Sequence, residues 1–364
     1  MGKKIIILCV CLFSLFACAN NEKPKTKIKK EAIKEPTEYQ YFYSKLNKKE
    51  KKCYLELYEA ILKSESGITI NNISEEKINT IIGYILADHP EIFWSEGYAT
   101  CYEEDVDKNI EVYPIYNALK GEKKSTKKKL EKIRDEIVSS IQAESDYDKV
   151  KAVYDYVIQN TEYVEGSQYN QSIMGAMLNK QTVCAGYAKT VQYLLKALGV
   201  DSTYIAGTTV KNPTDSAEPV RHAWNMVKVN GDYFYLDATW GDVVSDFPHT
   251  CYNYFLMSAD EMLQTHVPND AYEMTSNPGE SYSLKNGTYI TECNYQVFSN
   301  LWLKAINEGR NYIEFKCSPD IYAEVDYYIT QSQNLHYVMF DLGLNSQIYY
   351  YSRSENGYSF DVYY

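Results

Sequence analysis

Residues 222–239 read "HAWNMVKVNGDYFYLDAT", and their pattern decides how the middle of the chain folds. Asn230-Gly231 is a two-residue turn signal flanked by β-branched and aromatic residues, because both positions of a tight hairpin turn take positive φ. With these two as the loop, Val229 pairs with Asp232 and Lys228 with Tyr233. The register carried outward sets Trp224 opposite Asp237 and His222 opposite Thr239. Side chains alternate between faces, so His222, Trp224, Asp237 and Thr239 are expected on one side of the ladder. Diagonal neighbours there stand roughly 7–8 Å apart, within reach of a long side chain. An imidazole and a carboxylate can therefore meet.

Upstream, residues 181–200 read "QTVCAGYAKTVQYLLKALGV". Cys184 falls near the first turn of a helix expected to run through Leu198. Backbone N–H groups at a helix start carry partial positive charge, which favours a thiolate, and a nearby imidazolium favours it more strongly. Ala185 and Gly186 leave room for a substrate to approach. The Cys184 N–H can face a developing oxyanion. Each residue alone has a blander reading: a cysteine near a helix start usually packs a core, a strand histidine is usually structural, and Asp237 can cap a turn. Only the trio points to chemistry, with Cys184 as nucleophile, His222 as base and Asp237 as the group that orients the ring. Trp224 and Trp240 read as cleft walls or core. Asn225 and Asp242 are weaker, supporting candidates. Gln171, Gln181 and Tyr169 each qualify for an oxyanion hole. His89, His249, His266 and His336 have no partner that the sequence identifies.

The blocks "TVCAGYAKTVQYLLKALGV", "HAWNMVKVNGDYFYLDATWGD" and "YFLMSADEMLQTH", in that order over about residues 120–270, resemble the transglutaminase-like superfamily. The resemblance implies an α+β chain whose papain/transglutaminase-like core packs a nucleophile helix on an antiparallel sheet. It also implies acyl transfer from a peptide or protein amide through a thioester on Cys184, as a cysteine peptidase, an amidase or an isopeptide-forming enzyme. His222 would serve as general base and acid, and Asp237 would orient it. No cofactor is implied for that chemistry, and no EF-hand-like loop suggests a metal. The substrate expected is a peptide or protein, cell-wall peptide included. The alternative is a non-catalytic surface module that uses the same scaffold to hold a cell-wall or protein partner.

The flanks are read from pattern. Residues 39–118 are expected to form a mainly helical domain, with Tyr54, Leu57, Tyr58, Ile61 and Leu62 on one helical stripe. Ser74 is the expected cap of a second helix, and "YATCYEEDVDKNIEVYPIY" an extended chain or hairpin. The central unit, 119–272, opens with a charged amphipathic helix. A helix striped by Val150, Val153, Tyr154, Val157 and Ile158 follows, capped by Ser145 or Asp146. Residues 273–364 are expected to form a small α+β or β-rich domain.

The N-terminus, "MGKKIIILCVCLFSLFAC", has a basic start and an apolar run too short for a comfortable membrane span. Leu15-Phe16-Ala17-Cys18 resembles a bacterial lipobox. That implies a signal peptide over 1–17, lipid on Cys18, and an extracytoplasmic protein anchored to the membrane by it. Residues 18–38, rich in lysine and proline, read as a tether. Of nine cysteines, Cys9 and Cys11 fall in the signal peptide and Cys18 carries lipid; the other six show neither CxxC nor regular spacing, unlike a disulfide framework or zinc site. The formal charge of −12 argues against nucleic acid as the main partner. The 37 tyrosines suit strand faces, grooves and interfaces, because each pairs an apolar ring with a polar tip.

Overall fold

The computed structural model describes residues 39–364 apart from 104–108, 118–120, 211–217, 244–249, 273, 278, 345–348 and 355–357. The expected signal peptide, Cys18, the tether and His249 lie outside the described residues. No helix among the described residues is long and apolar enough to cross a membrane.

The chain begins with α1 (Tyr41–Lys45), α2 (Lys48–Lys63), β1 (Ile68–Asn71), α3 (Glu75–Asp88), β2 (Ser95–Glu103) and β3 (Asn109–Tyr116). Ser74 caps α3 as expected, its Oγ accepting the Lys77 N–H at 3.3 Å. Asn47 and Glu50 form a reciprocal capping box that starts α2. β2 and β3 are the expected hairpin. The addition is β1, which completes an antiparallel sheet of order β1-β3-β2. Its four residues alternate buried and exposed, a signal too short to stand out between two helices.

The middle continues with α4 (Lys123–Ser140), α5 (Asp146–Gln159), β4 (Glu162–Tyr163), a π-turn at Gly175–Asn179, β5 (Gln181–Thr182), α6 (Cys184–Ala197) and β6 (Ser202–Thr209). After these come β7 (Val220–Val229), β8 (Asp232–Leu236), α7 (Ala238–Val243), α8 (Ala259–Met262) and β9 (His266–Pro268). One apolar cluster joins the first segment to this one, with Leu57, Ile61 and Ile82 packed into the same interior as Leu130, Val153, Tyr154, Leu194 and Phe255. The interior therefore runs unbroken past residue 118.

The central sheet has the order β8-β7-β6-β9, antiparallel throughout, with α6 laid across β6 and β7. The hairpin holds the register read from the sequence: Val229 faces Asp232, Lys228 faces Tyr233, and Asn225 faces Leu236. Asn230 and Gly231 take φ of 53° and 96°, as the turn requires. The ladder then stops at Asn225–Leu236, three pairs short of the expected His222–Thr239. Asp237 leaves the strand and starts α7, so Thr239 lies in a helix and does not pair with His222. The cause is local: Asp237 Oδ1 accepts the N–H groups of Thr239 at 2.8 Å and Trp240 at 3.2 Å, which is N-cap geometry. The segment "YFLM" makes one bridge to the hairpin, Tyr235 to Met257. After it comes α8, capped by a box of Ser258 and Glu261.

The C-terminal segment holds α9 (Tyr282–Lys285), β10 (Tyr289–Ile290), α10 (Tyr295–Asn307), β11 (Tyr312–Cys317), α11 (Tyr322–Thr330), α12 (Asn334–Asp341), β12 (Tyr350–Ser354) and β13 (Ser359–Tyr363). Its sheet has the order β10-β11-β13-β12, and its own apolar cluster centres on Phe298, Trp302, Phe315 and Phe360. It is the α+β alternative of the two expected. It docks on the central unit through Glu314, which accepts the Tyr252 N–H at 2.5 Å, and through Lys316, paired with Glu261 at 2.8 Å.

Glu314 and Asp361 share this junction with Cys251 and are all buried. Burial pushes the Glu314 carboxyl up to about 7, and burial together with Glu314 raises Asp361. The folded state then holds protons that the unfolded chain releases near pH 4–5. Stability must fall as pH rises through that window up to about 7, by at most about 1.4 kcal/mol per pH unit for each proton. Urea denaturation between pH 5 and 8 should show this decline, and Glu314→Gln should flatten it.

Candidate active site

α6 starts at Cys184 because the chain before it is pinned. Gln181–Thr182 pair in parallel with Glu162–Tyr163, and Thr182 Oγ1 donates to the Asn170 carbonyl at 2.6 Å. Val183, the N-cap, has a side chain with no acceptor, so the first N–H groups of α6 keep their partial positive charge at the sulfur. The helix is tied down along its length. Asn225, fully buried on β7, donates to the Ala188 carbonyl at 2.9 Å; Gln192 donates to the Ala87 carbonyl at 2.8 Å. Tyr187 donates to the Asp242 carboxylate on α7. Asn225 and Asp242 thus support the site by fixing α6 rather than by meeting the reacting groups.

Gly186 corrects one expectation. A Cβ there would stand 1.8 Å from Thr182 Oγ1, so the space is filled by the protein and is not open to substrate. Gly186→Ala should cost about 1–3 kcal/mol, as overpacking does, and shift the head of α6. Chemical denaturation against wild type measures the loss.

His222 stands near the start of β7, its side chain 8% exposed, and its Nε2 lies 2.6 Å from Asp237 Oδ2. Cys184 is its other hydrogen-bond partner. Since Nε2 is engaged by the carboxylate, Nδ1 is the ring nitrogen left for the sulfur. Burial alone would depress the imidazole, but Asp237, and behind it Cys184, overcome this and raise His222 to about 10. Asp237 is fully buried. Burial opposes its charge, yet the two histidines beside it hold it well below the usual carboxylate range. The three expected residues are therefore together, and Asp237 does two things at once: Oδ1 caps α7 while Oδ2 faces the imidazole.

The histidine without an identified partner has one. His266 on β9, completely buried, places Nε2 3.1 Å from the same Asp237 Oδ2. Its Nδ1 lies 2.8 Å from Thr265 Oγ1. Burial, first of all, holds its pKa below the ordinary value. Trp224 and Trp240 wall both rings: Trp224 stacks on His222 at 6.0 Å and edges onto His266 at 4.9 Å, and Trp240 lies 5.8 and 4.6 Å from them. One sequence signal pointed here. Gly207, inside β6, leaves space that a Cβ would deny, since it would meet Trp224 at 2.6 Å. A glycine inside a strand often marks such a close approach. His89 is also partnered, with Nδ1 3.0 Å from Glu91, and the His336 ring lies against Tyr349; neither is near the trio.

Of the oxyanion candidates, Gln181 reaches Glu162 at 3.1 Å, Gln171 engages Lys189 through its carbonyl, and Tyr169 packs against the main apolar cluster with φ of 63°. None of these contacts is with Cys184. The tyrosines that feel its charge are Tyr163 on β4 and Tyr204 on β6, both raised chiefly by burial, Tyr163 to about 12. Among the described residues all six cysteines are free thiols. Among the described residues, two groups bring three metal-capable atoms within 4.8 Å: His222, Asp237 and His266, and Cys251, Glu314 and Asp361. In the first, these atoms already hydrogen-bond one another, so a cation would have to displace ring protons.

Residues 131–238 match the family model described as the Transglutaminase-like superfamily. This segment is a transglutaminase-like domain. The mouse (Mus musculus) kyphoscoliosis peptidase is 26% identical over 172 residues, 42% of this chain and 26% of its own length. The human (Homo sapiens) kyphoscoliosis peptidase is 24% identical over 173 residues, 43% of this chain and again 26% of its own. The chain thus spans about a quarter of the curated relatives it matches. A solved structure from Cytophaga hutchinsonii, described as a candidate cysteine protease, overlaps 42% of this chain and 45% of its own at 21% identity, with a TM-score of 0.29. The matched segment contains α6 and the β7-β8 hairpin and ends one residue past Asp237.

Proposed function

We propose that this chain is a thiol enzyme acting on peptide or protein amide bonds through Cys184, His222 and Asp237. The observation that carries the reading is one imidazole hydrogen-bonded to a sulfur at a helix head and, at 2.6 Å, to a buried carboxylate. The Cys184 sulfur attacks the amide carbonyl. The His222 imidazolium gives its proton to the departing amine, leaving a thioester. Water or a second amine then attacks the thioester, His222 takes up a proton, and the thiol and acyl product separate. Asp237 keeps the imidazole oriented through the cycle and stabilises its charged form whenever it holds the extra proton, as the acid does in other triads. Hydrolysis and transamidation share every step to the thioester. The domain match and the assembled trio favour this reading over a non-catalytic module, because a binding scaffold has no use for an ion-paired imidazole beside a thiol.

The N-terminal pattern supports an extracytoplasmic setting, with lipid on Cys18 and cell-wall or surface protein within reach. The test is incubation of protein lacking residues 1–18 with cell-wall fragments and peptide libraries, with and without a primary amine. Products read by mass spectrometry should vanish with Cys184→Ala. Products unchanged by that substitution would remove the proposal.

A further inference from the structure

We propose that His266 is a positioning residue for this site: a neutral imidazole donating Nε2–H to Asp237 Oδ2, the same oxygen that His222 uses. The inference rests on the thiol-enzyme reading and adds a member no motif assigns. Asp237 Oδ2 receives His222 Nε2 at 2.6 Å and His266 Nε2 at 3.1 Å, while Oδ1 receives two backbone N–H groups. Four donors saturate the carboxylate. It can neither rotate nor take up a proton without breaking a bond in a space enclosed by Trp224 and Trp240.

The protonation of His266 follows from its neighbours. A carboxylate only accepts, so a neutral ring must carry its proton on Nε2. Nδ1 then accepts, and Thr265, 2.8 Å away, is the hydroxyl that donates to it; its other acceptor, the Met262 carbonyl, is farther at 3.5 Å. The groups facing the ring agree. His222 and Asp237 are the charged ones, and a second imidazolium so close to His222 is disfavoured; Trp224, Trp240 and Tyr254 surround the ring, and the Met262 carbonyl is the backbone group beside it. β9 brings His266 there by pairing with β6, opposite Thr209. The ring is fully buried, so its action on the site is through Asp237.

The test compares His266→Met, which fills the space without a donor, with His266→Gln, whose amide can place an N–H near the position of Nε2. Two readouts need no natural substrate: the rate at which iodoacetamide alkylates Cys184, and the low-field NMR resonance of the His222 Nε2 proton. Loss of orientation should slow alkylation about 10- to 100-fold in His266→Met. The His222 proton signal should move or broaden, and His266→Gln should restore most of both. Equal behaviour of the two variants, or a wild-type rate in His266→Met, overturns the proposal. Should His266→Met fail to fold, Thr265→Val, which removes the donor to Nδ1, must slow alkylation and shift the same resonance; no change in either overturns it. The underlying site is judged separately by His222→Ala. If that variant slows alkylation and His266→Met does not, only the role of His266 falls.

Discussion

Asp237→Ala is expected to cost the fold about 3–5 kcal/mol, because it strands a buried, charged imidazole without its carboxylate. It also removes the N-cap of α7 and the acceptor of His266, so the loss should be among the largest of any single substitution in the molecule. Asp237→Asn keeps the capping oxygen and should be milder. Its amide nevertheless presents a donor or a weaker acceptor to His222 and favours the wrong tautomer, with a reactivity loss of up to about 10⁴-fold. The pH dependence separates the two effects. His222 is raised in the folded state, so its contribution is complete below about 6.5 and is lost as pH climbs through about 10. Asp237 is lowered, so its contribution is present above its unfolded value, roughly 3.9, and disappears as pH falls through the folded one. Urea denaturation from pH 5 to 10 should show wild type losing the His222 contribution toward pH 10. Asp237→Asn should lack that loss.

Cys184→Ala is expected to abolish acyl-enzyme formation while leaving the fold nearly intact, since the side chain is only half-buried. An activated ester such as p-nitrophenyl acetate supplies the acyl group without knowledge of the natural substrate. Wild type should release a burst of nitrophenol and gain one acetyl group on the peptide carrying Cys184. Cys184→Ala should show neither. His222→Ala should slow the acylation about 10²- to 10⁴-fold, the usual share of a positioned base. Stopped-flow absorbance and peptide mapping read both.

What the sequence made legible was what local chemistry dictates. Asn230-Gly231 set the hairpin register, the register brought His222 toward Asp237, and the helical stripe after Cys184 placed the sulfur at a helix start. The failures began where one residue served two elements. Asp237 reads equally as a strand residue and as a cap, and the cap won because its Oδ1 satisfies two N–H groups of α7. Thr239 was drawn away with it. Gly186 was read as open space, but its missing Cβ accommodates Thr182, four residues back at the junction of β5 and α6. His266 was invisible because three residues of β9 pair with β6 at the edge of the sheet opposite the hairpin, a long-range pairing that no local pattern announces. β1 was too short to show a period.

The central assertion is that Cys184 is an activated thiol and the other cysteines are not. Competitive alkylation by iodoacetamide at pH 6, resolved for each cysteine by mass spectrometry, measures this most directly. Cys101 and Cys293 are the fair controls, since both are partly buried like Cys184, and burial pushes each up to about 12. Cys184 should react at least about tenfold faster than either, and His222→Ala should erase the difference. A Cys184 rate equal to those of Cys101 and Cys293, or one indifferent to His222, contradicts it.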